Sequence, residues 1–177
     1  MSCGYRVGKG TVWGAYRGGV LRLGGRRTAP PAAWQAGGMP NQPARAPDLT
    51  GRGEEFLDFW RERHLCSLTT VRPDGSAHVV AVGATLDPAA GIARVITSGR
   101  SRKARLIAAG PPEGTAVAVC QIDGRRWSTL EGLAVVRDDP ASVAEAERRY
   151  ARRYREPRAN PLRVVLQVRI IRVLGSV

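Results

Sequence analysis

Histidine occurs only twice in this chain of 177 residues, at positions 64 and 78, and cysteine only three times. With two imidazoles and no glycine-rich nucleophile elbow, a Ser-His-Asp hydrolase has no candidate triad. Carboxylates paired for acid–base work are not apparent either. Cys3, Cys66 and Cys120 follow no CxxC or Cys/His spacing, so no metal centre is expected. Cys66 and Cys120 lie in apolar runs, where a free thiol acts as a small buried hydrophobe, and a reducing, cytoplasmic setting fits them. No apolar run approaches the ~20 residues that a membrane-crossing helix needs. After Arg26-Arg27 the apolar stretch is too short and broken for an export signal. GxGxxG and Walker patterns are missing as well. Lysine is the scarcest charge, with Lys9 and Lys103 alone among 28 lysines and arginines.

The net charge is +13, which raises the question of nucleic acid. Its distribution argues otherwise. Residues 1–38 hold Arg6, Lys9, Arg17, Arg22, Arg26 and Arg27 and no acid, while the rest mixes acids among its arginines. An anionic small molecule accounts for that remainder as well as a polynucleotide does, and neither a nucleic-acid nor a membrane partner is expected. Residues 1–48 are rich in Gly, Arg, Pro and Ala, with Trp13, Tyr16 and Trp34 following no period. They read as a disordered extension without assigned function. Met39 offers an alternative natural start, which would make residues 1–38 an over-extended reading. Residues 49–177 form the expected folded domain, long enough for one core and hardly for two.

From Thr50 the pattern is regular. Phe56, Leu57 and Trp60 recur at helical spacing between Glu54 and about His64, with acids first and Arg63 and His64 last. Leu65–Val71 reads as a strand, ended by the turn Pro73-Asp74-Gly75. Ser76–Leu86 and Ile92–Thr97 follow as strands, then a short helix over Ser101–Ala109. Thr115–Ile122, Asp123-Gly124 and Arg126–Val136 make a hairpin. Asp139 as N-cap and Pro140 at the first turn open a helix to about Tyr154. Val164, Leu166, Val168 and Ile170 alternate along a last strand, Leu162–Val173. Six mostly antiparallel strands and three helices predict an α+β barrel, with room for one crossover around the short helix.

The strongest functional signal is Ser98-Gly99-Arg100-Ser101-Arg102-Lys103, at a strand-to-helix junction. Small hydroxyls, free N–H groups and fixed positive charge together favour phosphate. A solvated basic helix face is the competing reading. Against it, a lysine kept where arginine is otherwise used suggests a point charge that a guanidinium would not replace. His78 opens His78-Val79-Val80-Ala81-Val82-Gly83 on the second strand, as a site residue or a strand-end polar group. Gly83 marks close approach of a flat ring or a β-bulge. Trp127, after Arg125-Arg126, is either a half-buried hairpin aromatic or a stacking partner for an anionic planar ligand. Tyr150, Arg152, Arg153, Tyr154, Arg155 and Arg158 give the long helix a basic, aromatic end, read as mostly solvated with a minority meeting an acidic ligand tail, and His64 reads as a helix-terminal cation. Without catalytic side chains of its own, such a protein would leave the chemistry to a cofactor.

Several segments carry a resemblance. Arg63-His64-Leu65, Pro73-Asp74-Gly75 with the strand to Gly83, Ile92–Thr97, Asp123-Gly124 with Arg126-Trp127 and Leu130-Glu131-Gly132 are among them. Arg153-Tyr154-Arg155, Pro157-Arg158 and Asn160-Pro161 complete the set. Over residues 54–175 the chain resembles the coenzyme F-420-dependent biliverdin reductases. These are deazaflavin oxidoreductases within the pyridoxamine 5'-phosphate oxidase-like split β-barrel superfamily, the FMN-binding split-barrel type. The resemblance implies a six-stranded split barrel, a homodimer, and coenzyme F-420 in a groove at the subunit interface, with FMN as the alternative cofactor. It places Ser98, Gly99, Ser101, Arg102 and Lys103 at the coenzyme phosphate. His78, Val79, Val80, Ala81, Val82, Gly83, Ile96 and Thr97 would flank the deazaflavin, with Trp127 nearby. Arg100 and Arg125 would attract the propionates of a tetrapyrrole or another anionic substrate, and biliverdin would be reduced to bilirubin. An FMN-dependent enzyme of the same fold, or a non-catalytic coenzyme-binding protein, is the alternative.

Overall fold

Residues 46–177 are described by the computed structural model, and the expectations set on residues 1–45, Met39 included, lie outside them. A 3-10 turn, Thr50–Arg52, leads into α1, Glu54–Arg61. Glu54 and Glu55 occupy its first turn and Arg61 its last, and Phe56, Leu57, Phe59 and Trp60 form its buried face. The helix ends before the predicted His64 because Glu62 turns to extended backbone. Then come β1 (Cys66–Val71), β2 (Ala77–Val82), β3 (Ala84–Asp87), β4 (Ile92–Ser98) and α2 (Arg102–Ala108). Next are β5 (Thr115–Asp123), β6 (Arg126–Arg137), α3 (Pro140–Arg153) and β7 (Arg163–Gly175). Asp139 caps α3 as its sequence predicts, accepting a hydrogen bond from the Ser142 N–H at 2.9 Å with Pro140 in the first turn.

Among the described residues the sheet has seven strands, one more than expected, in the order β2-β1-β5-β6-β7-β4-β3. Every pairing is antiparallel, and the chain crosses over around α2, since β4 and β5 are separated in the sheet by β7 and β6. The extra strand comes from Gly83, which divides the run expected as one strand into β2 and β3. These two halves lie at opposite edges of the sheet while Val82 and Ala84 are one residue apart. A sheet whose first and last strands are joined by a single residue has to curl upon itself. That is how the split barrel closes.

Alternation decides what fills it. Leu68, Val119, Leu130, Leu166, Val168 and Ile170 point inward with α1's Phe56 and Phe59, all essentially fully buried. Between Glu131 and Gly132 the β6–β7 register shifts, a bulge that tightens the curl. A Cβ on Gly132 would stand 2.1 Å from the Arg169 carbonyl oxygen, so only glycine fits there. The Leu49 N–H donates to the Pro88 carbonyl at 2.9 Å, and Leu49 is buried.

Candidate functional site

A groove of about 400 Å³ opens beside the barrel seam. β2 and its exit supply Ala81, Val82 and Gly83, β4 supplies Ile96, and α2 supplies Lys103. The other wall is Tyr150 of α3, the loop Arg155-Glu156-Pro157-Arg158, and Arg163 at the start of β7. Five residues expected at a site (Ala81, Val82, Gly83, Ile96 and Lys103) therefore converge from three elements. Lys103 is half-buried and has no carboxylate partner among the described residues, and burial pulls its ammonium below the ordinary lysine range. Arg163 is neutralised by Glu147 at 2.9 Å, whereas Arg155 and Arg158 make no side-chain ion pair among the described residues. The groove thus holds unpaired cations on both walls against a single carboxylate, Glu156. Its chemistry is that of an anion receptor with an uncharged floor.

Gly83 is where other bodies approach the strand, and those bodies are the protein's own. A Cβ there would lie 2.7 Å from Cε2 of Tyr150 and 3.2 Å from Cε2 of Tyr154, whose rings stack at 4.8 Å. The Tyr154 hydroxyl accepts from the Ala84 N–H at 3.1 Å and reaches the carbonyls of His64 at 2.7 Å and Ala84 at 3.0 Å. Arg153 donates to the carbonyls of Glu62 (2.9 Å) and Ala84 (2.6 Å) and to Oε1 of buried Gln121 (2.5 Å). The end of α3 therefore latches the seam that Gly83 opens. Burial raises the Tyr154 phenol and the Cys66 thiol, so both stay protonated.

The remaining expected residues do not line the groove. Ser101 caps α2, accepting from the Ala104 N–H and the Thr97 hydroxyl at 3.3 Å each. Ser98 accepts from the Arg100 N–H at 3.3 Å, and the Gly99 N–H donates to Leu162 at 2.8 Å. These groups hold the turn that delivers Lys103. Arg100 and Arg102 are exposed. Val79 faces outward, Val80 packs on the core and His78 is half-buried under Arg72. Trp127 and Arg125 sit at the tip of the β5–β6 hairpin, where Ser176 bonds the Arg125 carbonyl and the Trp127 N–H.

A second polar cluster lies where α1 ends. Arg126 makes a two-pronged pair with Glu62, 2.8 Å on each prong, and a third contact to Asp123. His64 stands 3.0 Å from Glu62 and stacks on Phe59. The Arg126 guanidinium holds the Glu62 carboxyl down to about 2, and its own value moves up. Glu62, His64 and Asp123 are close enough to share a cation. Arg126 already occupies both carboxylates, which makes the cluster an ion-pair clamp. The clamp did not stand out from the sequence, whereas Tyr150, Arg155 and Arg158 did so within the basic, aromatic helix end, and they line the groove.

The geometry agrees with known proteins. The profile of the pyridoxamine 5'-phosphate oxidase family matches residues 53–176. The F420H(2)-dependent biliverdin reductase of Mycobacterium tuberculosis (strain CDC 1551 / Oshkosh) is 54% identical over 127 residues, spanning 72% of this chain and 90% of that protein. A solved F420 reductase superposes with a TM-score of 0.55 at 27% identity, over 69% of this chain and 98% of the other. The general stress protein 26 of Bacillus anthracis shares the fold alone, with a TM-score of 0.54 at 19% identity over 69% of this chain and 91% of its own. The chain therefore belongs to the pyridoxamine 5'-phosphate oxidase family of split barrels, in the group that includes the mycobacterial F420H(2)-dependent biliverdin reductase.

Proposed function

We propose that this protein is a coenzyme F-420-dependent oxidoreductase that reduces biliverdin to bilirubin. The observation that carries the reading is Lys103, a half-buried cation of α2 with no carboxylate partner among the described residues, beside the uncharged stretch Ala81-Val82-Gly83. Such a group is costly to keep unless an anion meets it. The 54% identity to a biliverdin reductase supports the coenzyme and the substrate class. When bound, reduced F-420 supplies a hydride from its deazaflavin, destined for the central methine carbon of the tetrapyrrole.

The residues of the chain then bind and orient. Lys103 holds the coenzyme phosphate, with Ser98, Gly99, Ser101 and Arg102 shaping its turn. The small side of β2 at Ala81, Val82 and Gly83, with Ile96 of β4, admits a flat ring. Arg155 and Arg158 suit carboxylates better than Arg100 and Arg125, because they share the groove with Lys103. Residues 49–177 are the coenzyme-binding unit in this reading. A homodimer in the cytoplasm is its setting, and among the described residues no helix is long and apolar enough to cross a membrane.

Fluorescence titration with F-420 and with FMN tests the reading, followed by loss of biliverdin absorbance under reduced F-420. We expect F-420 binding and turnover, both unchanged on deleting residues 1–38. Tight FMN binding without F-420 binding would overturn the coenzyme. F-420 binding without biliverdin turnover would leave a coenzyme-binding protein.

A further inference from the structure

Arg72 has no part in the function just described, yet it is tied to the site. It follows β1 directly, and its guanidinium turns back over the Pro73-Asp74-Gly75 turn. Nη1 donates to the Ser76 hydroxyl at 3.1 Å and to the Ala77 carbonyl. Nη2 lies 3.3 Å from Nδ1 of His78. A guanidinium carries five N–H donors, no acceptor, and a proton that it does not release. The contact therefore makes Nδ1 the bare, accepting nitrogen and leaves the ring proton on Nε2.

The surroundings keep it there. The charges that bear on His78 are Arg72 from its own hairpin and Arg102 and Lys103 from α2, all positive. Asp74, the acid of the same turn, is engaged by the Ser76 N–H at 2.9 Å and the Ser76 hydroxyl at 2.6 Å. Burial, and then these three cations, lower His78 from its ordinary value, so the ring is neutral at physiological pH. An imidazolium would add a fourth positive charge. A neutral ring adds an N–H donor without that repulsion, beside three cations that are donors as well.

We propose that Arg72 is a positioning residue that fixes His78 in the Nε2–H tautomer, and that His78 in this form donates a hydrogen bond to the phosphate or carboxylate held at Lys103. The proposal rests on reading the Lys103 groove as an anion site, as the proposed function does. Arg72 acts only through His78 and touches no ligand itself.

Long-range ¹⁵N–¹H correlation spectra of the full chain read the tautomer directly, with inorganic phosphate and pyrophosphate as probes. The wild-type ring should carry its proton on Nε2 alone, and pyrophosphate should shift that nitrogen. In Arg72→Met the two tautomers should mix and pyrophosphate affinity should fall about tenfold, the scale of one charge-assisted hydrogen bond. Arg72→Lys, which can still donate to Nδ1, should restore the tautomer and most of the affinity. His78→Gln, keeping a side-chain N–H, should outbind His78→Phe. A wild-type ring protonated on Nδ1 overturns the proposal, as does a mixed tautomer in Arg72→Met with undiminished affinity. If pyrophosphate shifts His78 but F-420 does not bind, the proposed function falls and this inference stands. If F-420 binds while Nε2 stays silent, the inference falls alone.

Discussion

At the residue scale, Lys103 shows how a binding group weighs on its own fold. A base whose value is lowered on folding has its charged form disfavoured by the folded state. The penalty is present at neutral pH and fades as pH rises toward the ordinary 10.5. Lys103→Met keeps most of the aliphatic stem and removes the charge. It should raise the melting temperature of the ligand-free protein at pH 7, with the gain shrinking near pH 10. The same change should weaken F-420 binding by about 1–3 kcal/mol, measured by calorimetric titration. Loss of affinity together with loss of stability would make Lys103 a structural residue. Glu62 carries the opposite sign. Its folded value is depressed from 4.5 to about 2, so its stabilisation is complete above the unfolded value and is lost as pH falls through that window. Thermal melts of wild type and Glu62→Gln across pH 5 to about 2 should converge as the acid end is reached.

At the element scale, the seam between β2 and β3 is the decisive feature, and Gly83 tests it. A methyl group placed 2.7 Å from the Tyr150 ring forces the end of α3 outward. Gly83→Ala should cost about 1–3 kcal/mol in denaturant unfolding, the usual range for overpacking. Adding Tyr150→Leu, which removes the ring the methyl meets, should recover part of that loss, so the two changes should not be additive. The seam also marks where sequence reading ends. Alternation along Val164–Ile170, the Asp139-Pro140 cap and the turns at Pro73-Asp74-Gly75 and Asp123-Gly124 are local signals, and each produced the element it predicts. Gly83 was legible as a place of close approach. That the approaching rings are Tyr150 and Tyr154 depends on a contact across nearly seventy residues, which no local pattern encodes. For the same reason Lys103 was visible as a lone lysine, whereas Arg155 and Arg158 acquire meaning only once α3 lies beside β2. The seventh strand escaped because one glycine breaks a run whose residues all favour extended backbone.

At the scale of the whole molecule, the outer face of β2-β1-β5-β6 stands apart from a chain that is 24% charged. Register places Val79, Thr69, Ala118 and Glu131 in one row, and Ala81, Ser67, Cys120 and Thr129 in the next. Glu131 alone is charged, and Arg172 neutralises it at 2.6 Å. Val71 and Val79 are more than half exposed on this face. Ala81 belongs both to it and to the Lys103 groove, so a second copy seated on the face would reach the groove mouth. Val79→Arg, at the centre of the first row, should therefore turn a dimer into a monomer in sedimentation and weaken F-420 binding with it. Salt supplies an independent check. Two copies each carrying +13 repel, and screening relieves that repulsion, so dimerisation through an uncharged face should strengthen as ionic strength rises. Association with a polyanion would move the other way, with affinity falling steeply as added salt makes counterion release less favourable. A wild-type chain that sediments as a monomer at all salt concentrations would sink the interface reading. The groove would then have to be complete within one chain.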